Sequence, residues 1–160
     1  MRKNQMYLVK VFKYLPNSYH LKIYGNISTG REYYDQIQKY ILENKITNVE
    51  LMDFENDLVK VFEKTDFFVS ASKKEAQCLS IIQSMAAGKP VIGLSNETID
   101  DLVNKDNGLA LRKNVSPKFF AQKTLEFVKN INYSTFSDKN KESSAEFDIN
   151  NVILKTESVY

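Results

Sequence analysis

An open parallel sheet with helices on both faces is the fold this sequence predicts, and three observations predict it. Short runs with strand-like patterning recur along the chain, several of them closed by glycine or a polar exit. Between consecutive runs lie stretches whose apolar residues fall three or four apart, long enough to carry the chain back for a parallel pairing. The runs Phe67-Phe68-Val69-Ser70 and Pro90-Val91-Ile92-Gly93-Leu94 are apolar almost throughout, as strands covered on both faces are.

Taken in order, Met6, Leu8, Val9, Val11, Phe12 and Leu15 have helical spacing and stop before Pro16. His20-Leu21-Lys22-Ile23-Tyr24-Gly25 alternates and ends on glycine, so it reads as a strand. Tyr33, Ile37, Tyr40 and Ile41 mark the next helix, and Val49-Glu50-Leu51-Met52-Asp53-Phe54 the next strand. Leu58, Val61 and Phe62 predict a short helix before the apolar strand at 67–70. Leu79, Ile82, Met85 and Ala86 follow on a helix, with Gly88 just past its end and Pro90 two residues on. Glycine then proline in that order is a helix stop with a physical basis. After the strand at 90–94, Ile99, Leu102 and Val103 predict a helix, Asn107-Gly108 a turn, Leu109-Ala110-Leu111 a last strand, and Phe119 to Phe127 a long helix. Residues 132–146 are polar and read as a connector, and 147–160 as a terminal helix. The expected division is 1–131 for the sheet domain and 132–160 for connector and helix.

Composition excludes more than it assigns. A length of 160 residues suits one domain with its own core. Twenty-two basic against twenty acidic residues leave a net charge of +2, so there is no cationic field to favour nucleic acid as a partner. No apolar run reaches membrane-spanning length and no secretion leader is seen; with one cysteine, Cys78, no internal disulfide can form. The default location is the cytoplasm. No cluster of His, Cys and carboxylates has ligand spacing, so no metal site is expected.

Open sheets of this kind bind ligands beyond the carboxyl ends of their strands. The segment from Ser70 to Gln83 leaves an apolar strand, crosses small and polar residues, and enters a helix. Free backbone N–H groups at such a helix start suit a diphosphate or sugar hydroxyls. Glu75, just ahead of the helix, reads either as a carboxylate stabilising the helix dipole or as a ligand-binding group.

Ser72-x-x-Glu75 followed by Ser84-Met85-Ala86-Ala87-Gly88-Lys89-Pro90-Val91-Ile92 resembles the signature of glycosyltransferase family 4, which has the GT-B architecture of two Rossmann-like domains. That pattern runs P-S-x-x-E-G-x-G and then E-A-M-A-x-G-x-P-V. Gly25 after a strand, Thr65-Asp66 before one and Asn107-Gly108 before another keep the same order. The resemblance spans about 3–131. It implies a Rossmann-like parallel sheet, the C-terminal donor-binding half of a retaining enzyme. That enzyme would move a hexose from a UDP- or GDP-sugar to a hydroxyl, with the nucleotide sugar as substrate and no separate cofactor.

Carried over residue by residue, Glu75 takes the catalytic place of the first acid in the family's E-x7-E motif, against the donor sugar. Gln83 stands where the second acid binds ribose, keeping an acceptor but losing the charge. Ala76, Gln77 and Cys78 replace the glycine-rich loop, with Leu79 opening the helix. Lys3 resembles the lysine that holds the diphosphate, while Arg2 is not at the spacing of the family's arginine. Ser72 and Gly25 complete the implied substrate-binding set. The family's first strand and its acceptor-binding N-terminal domain have no counterpart here. The resemblance therefore implies a truncated protein whose acceptor domain is supplied elsewhere or lost. An inactive nucleotide-sugar-binding or partner module is the alternative reading.

Overall fold

A computed structural model of the chain describes residues 2–26, 30–74 and 78–148. Helices and strands alternate: α1 (Gln5–Phe12), β1 (Leu21–Tyr24), α2 (Arg31–Glu43), β2 (Val49–Met52), α3 (Leu58–Glu63), β3 (Phe68–Ser70), α4 (Leu79–Ala86), β4 (Val91–Leu94), α5 (Glu97–Leu102), β5 (Gly108–Leu111), α6 (Pro117–Asn130) and α7 (Tyr133–Ala145). Asp57, Asn96, Ser116 and Asn132 each accept a hydrogen bond from the first turn of the helix they precede. Those side chains offer the oxygen that an exposed N–H group otherwise lacks. At the other end of α4, Gly88 takes a φ of 70°, the left-handed conformation that closes a helix and that glycine adopts without strain.

The strands form two parallel ladders. β1 pairs with β2, Leu21 opposite Val49 and Tyr24 opposite Met52. β4 lies between β3 and β5, with Val69 opposite Ile92 and Ile92 opposite Leu109. No strand joins the two ladders among the described residues.

β4 explains how helices come to cover both faces. All four of its residues are buried. Val91 packs with Cys78, Ile81 and Met85 of the α4 side and with Ile99 and Val103 of the α5 side. Ile92 and Leu94, pointing the other way, join Leu8, Val9, Val11 and Phe12 of α1 and Phe120 and Ala121 of α6. A side chain at Gly93 would meet Ile99 at 2.5 Å, so α5 sits directly on the strand. The α1–α6 side also takes in Leu21 and Val49, so one core runs beneath both ladders.

The segment 132–146, read from its polarity as a connector, holds α7. Tertiary contacts hold that helix in place. Phe127 and Phe136 meet edge to face at 5.4 Å, as do Phe67 and Tyr133 at 5.9 Å. Asn140, fully buried, donates to the backbone carbonyls of Asn107 and Phe136. α7 packs along α4, and a Cβ at Gly88 would collide with Ser137. Most of the terminal helix expected for 147–160 lies outside the described residues.

Candidate functional site

The carboxyl ends of β3, β4 and β5 converge on a cleft of about 190 Å³, lined by Lys73, Ser95, Asn96, Glu97, Asp100 and Lys113. Asn96 holds it together. Its amide donates to the Ser72 carbonyl at 2.9 Å and to the Leu94 carbonyl at 3.3 Å, and its carbonyl accepts from Ile99 N–H. One buried side chain thereby ties the loop after β3 to the exit of β4 and the start of α5. Across the mouth, Ser95 donates to Asp100 at 2.9 Å. Lys73 and Lys113 supply cations beside two carboxylates, and no ion pair links them among the described residues.

Further along the chain from Lys73, α4 begins. Cys78 caps it with an extended backbone (φ −108°) and accepts from Ile81 N–H at 2.9 Å. This position needs no glycine, since its φ is one any residue adopts. The thiol is buried at 4% exposure among Ile81, Met85 and Val91, which makes Cys78 a packing residue at the helix start. Lys3 arrives from the other end of the chain, its Nζ 3.9 Å from Cys78 Sγ. The backbone follows the same route, for Lys73 N–H donates to the Arg2 carbonyl at 2.9 Å. A cation and a helix N-terminus are thus brought together by residues 75 apart in sequence.

The other expected site residues divide. Ser72 is buried behind the loop, with its carbonyl engaged by Asn96. Leu79 is 63% exposed and Gln83, one turn along, is exposed on the same face of α4; Gln83 has no side-chain partner among the described residues. Gly25 ends β1, donates to the Met52 carbonyl at 3.2 Å, and has open space where a side chain would be. Exposed Tyr24 and Phe54 flank the same strand ends. Glu75, Ala76 and Gln77 lie outside the described residues. His20, for which the sequence offered no role, is exposed ahead of β1.

Sequence reasoning did not single out Asn96 or Lys113. Asn96 had a legible signal, an asparagine three residues ahead of Ile99 at a helix start. Lys113 had none, because only strand order brings it beside Lys73.

The electrostatic perturbations lie away from the cleft. A hydrogen bond from Lys60 lowers the pKa of Asp57, and one from Lys123 lowers that of Glu126. Burial pushes the Tyr7 phenol up to about 12, and its O–H donates to the Val115 carbonyl. Among the described residues no group of His, Cys, Asp or Glu could hold a metal ion, and no helix is long and apolar enough to cross a membrane.

Fold and cleft together define a helix-covered parallel α/β domain with cations, a buried amide and a helix start gathered at the strand ends. Residues 1–143 match the family described as glycosyl transferases group 1, and the chain belongs to that family. Solved structures agree on the fold. A glycosyltransferase from Rickettsia africae ESF-5 superposes with a TM-score of 0.89 at 19% identity, over 100% of this chain and 44% of that one. Anabaena HepE, in complex with UDP and glucose, gives 0.84 at 18% identity, over 99% of this chain and 45% of its own. S. aureus TarM gives 0.80 at 25% identity, over 97% of this chain and 32% of its own. This chain therefore spans less than half the length of each. No curated protein sequence matches it significantly.

Proposed function

We propose that this chain is the donor-binding part of a retaining glycosyltransferase resembling family 4, acting on a nucleotide diphosphate hexose in the cytoplasm. The observation that carries the reading is the placement of Lys3 beside the cap of α4. A cation at a helix N-terminus is an anion seat built from two independent sources of positive potential. Departure of the sugar leaves negative charge on the diphosphate, so groups fixed there before reaction stabilise that charge without reorganising. In this reading Glu75 contacts donor hydroxyls, and the backbone of Ala76, Gln77, Cys78 and Leu79 approaches the sugar and phosphates. Ser72 shapes the loop, while Gln83 and Gly25 border the nucleoside. UDP and glucose bound to Anabaena HepE, and UDP bound to a TarM variant, support a UDP-sugar as the donor; a GDP-sugar is the competing choice. The acceptor hydroxyl would be presented by a second domain, which agrees with the share of each relative that this chain covers.

Calorimetry of the chain with UDP- and GDP-sugars tests the assignment. We expect Lys3→Met to weaken binding by about tenfold or more, the cost of one charge-assisted phosphate contact. In the enzyme reconstituted with an acceptor domain, Glu75→Ala should cut turnover strongly while the fold persists. Unaltered turnover in that variant, or wild-type affinity in Lys3→Met, would overturn the respective role. The exposed, uncharged Gln83 supports a second reading, an inactive nucleotide-sugar-binding or partner module. Donor binding without transfer in the reconstituted protein would select it.

A further inference from the structure

We propose that Asn96 is the positioning residue for Lys3, and that it acts through a single peptide group, the one joining Ser72 to Lys73. The two ends of that group are engaged in opposite directions. Its carbonyl accepts from Asn96 Nδ2 at 2.9 Å, and its N–H donates to the Arg2 carbonyl at 2.9 Å. A trans peptide is planar, with C=O and N–H pointing apart, so fixing one end fixes where the other aims. Asn96 and Ser72 are both buried, where a hydrogen bond is electrostatically stronger than in water. Bonds in such a chain also polarise one another, so the pull of the amide on the Ser72 carbonyl strengthens the Lys73 N–H as a donor to Arg2.

Lys3 is carried between two fixed points. Before it, the Arg2 carbonyl is held by Lys73; after it, Met6 N–H donates to the Tyr33 hydroxyl at 2.9 Å. Asn4, with a left-handed φ of 54°, turns the chain into α1, and Lys3 Nζ comes to lie 3.9 Å from Cys78 Sγ. The first of those fixed points is the one Asn96 controls. Asn96 has a second duty, and the two use opposite ends of its amide. Its Oδ1 accepts from Ile99 N–H at 3.1 Å and caps α5, while Nδ2 donates to the carbonyls of Ser72 and Leu94. An aspartate at this position keeps the capping oxygen but loses both donors, and sets a negative oxygen against two carbonyls. The neutral acid regains one O–H donor. The cap and the brace can therefore be separated by one substitution and by pH. Through Lys3 the brace reaches the diphosphate seat, the one link that rests on the donor-binding reading above.

The test is amide hydrogen exchange, with calorimetry of UDP binding, on the full chain and its Asn96→Asp variant, each compared with the wild type at the same pH. At pH 7 exchange at Lys73 is expected to quicken by about tenfold or more, with Ile99 little changed. UDP should bind about tenfold more weakly. As the pH falls toward about 4, where a carboxyl regains its proton, both losses should shrink. Lys73, Glu97, Asp100 and Lys113 line the same cleft and titrate or hold charge beside position 96. Asn96→Ala, taken through the same series, reports their contribution; it should lose protection at Lys73 and Ile99 alike and show no recovery in acid. Unchanged exchange at Lys73 in Asn96→Asp, or equal quickening at Lys73 and Ile99, would overturn the brace. So would a loss at Lys73 that ignores pH, which is the mark of general loosening. Quickened exchange with wild-type UDP affinity would remove the link to Lys3. A wild type that binds neither UDP nor GDP would sink the donor-binding reading alone, and exchange at Lys73 would still decide the brace.

Discussion

The two ladders are built by the same rules and carry different burdens. In β3–β4–β5 the central strand is buried at every position and helices press on both faces. In β1–β2, Lys22, Tyr24 and Glu50 are exposed and the buried positions are those at the strand starts. The first ladder holds the cleft through Asn96 and the start of α5; the second ends in open aromatic side chains, Tyr24 and Phe54. Rigidity and hydrogen-bonded order are concentrated around the cleft. Exposed, adaptable surface lies at the other end of the sheet.

The largest expected effect measures this inequality directly. Ile92→Ala, in a strand residue 1% exposed, should cost about 2–5 kcal/mol in urea denaturation, the range for truncating a buried isoleucine to alanine. Ile23→Ala, in the half-buried β1, should cost less than half as much; equal losses would break the comparison. Gly88→Ala comes next, with an expected loss of about 2 kcal/mol. Alanine there would have to adopt a φ of 70° and displace Ser137 of α7. Circular dichroism should register part of the loss as helix unfolding. Asn96→Ala removes the cap of α5 and two bonds to backbone carbonyls, for about 1–2 kcal/mol. Donor affinity should fall with it, because the loop after β3 loses its tether.

The smallest effect lies on the α1–α6 side. Tyr7 has its pKa raised to about 12, so between pH 10 and 12 the folded protein holds a proton that the unfolded chain has released. Stability from this group is therefore complete below pH 10 and drains away as pH climbs toward 12. Thermal melts across that window should show a gentler decline for Tyr7→Phe than for the wild type. Parallel slopes would remove Tyr7 from the account.

Most of the fold was legible because local patterning and tertiary burial agree. The run 90–94 is apolar since both its faces are covered, and His20 to Gly25 alternates since one face meets water. α7 escaped because its apolar anchors are few. What secures it, Phe136 against Phe127 and Asn140 bonded to the Asn107 carbonyl, is specified by residues elsewhere in the chain. The site was legible only in part for the same reason. The loop from Ser70 to Gln83 announces a helix start by itself. The arrival of Lys3 at Cys78, the tether from Asn96 to Ser72, and the approach of Lys113 to Lys73 depend on strand order that no local window contains. Cys78 stands in place of the family's glycine-rich loop, and its φ of −108° is one that any residue adopts, since an N-cap has an extended backbone.

The contact of Gly88 with α7 has a consequence for the opposite end of the same helix. α4 is two turns long, so it behaves as a short stiff rod, packed against Ser137 and Lys141 at its tail. Loosening that contact would let the head swing, and the N–H groups at its start would shift with it. Residues near position 140 thereby acquire leverage over a helix start they never touch.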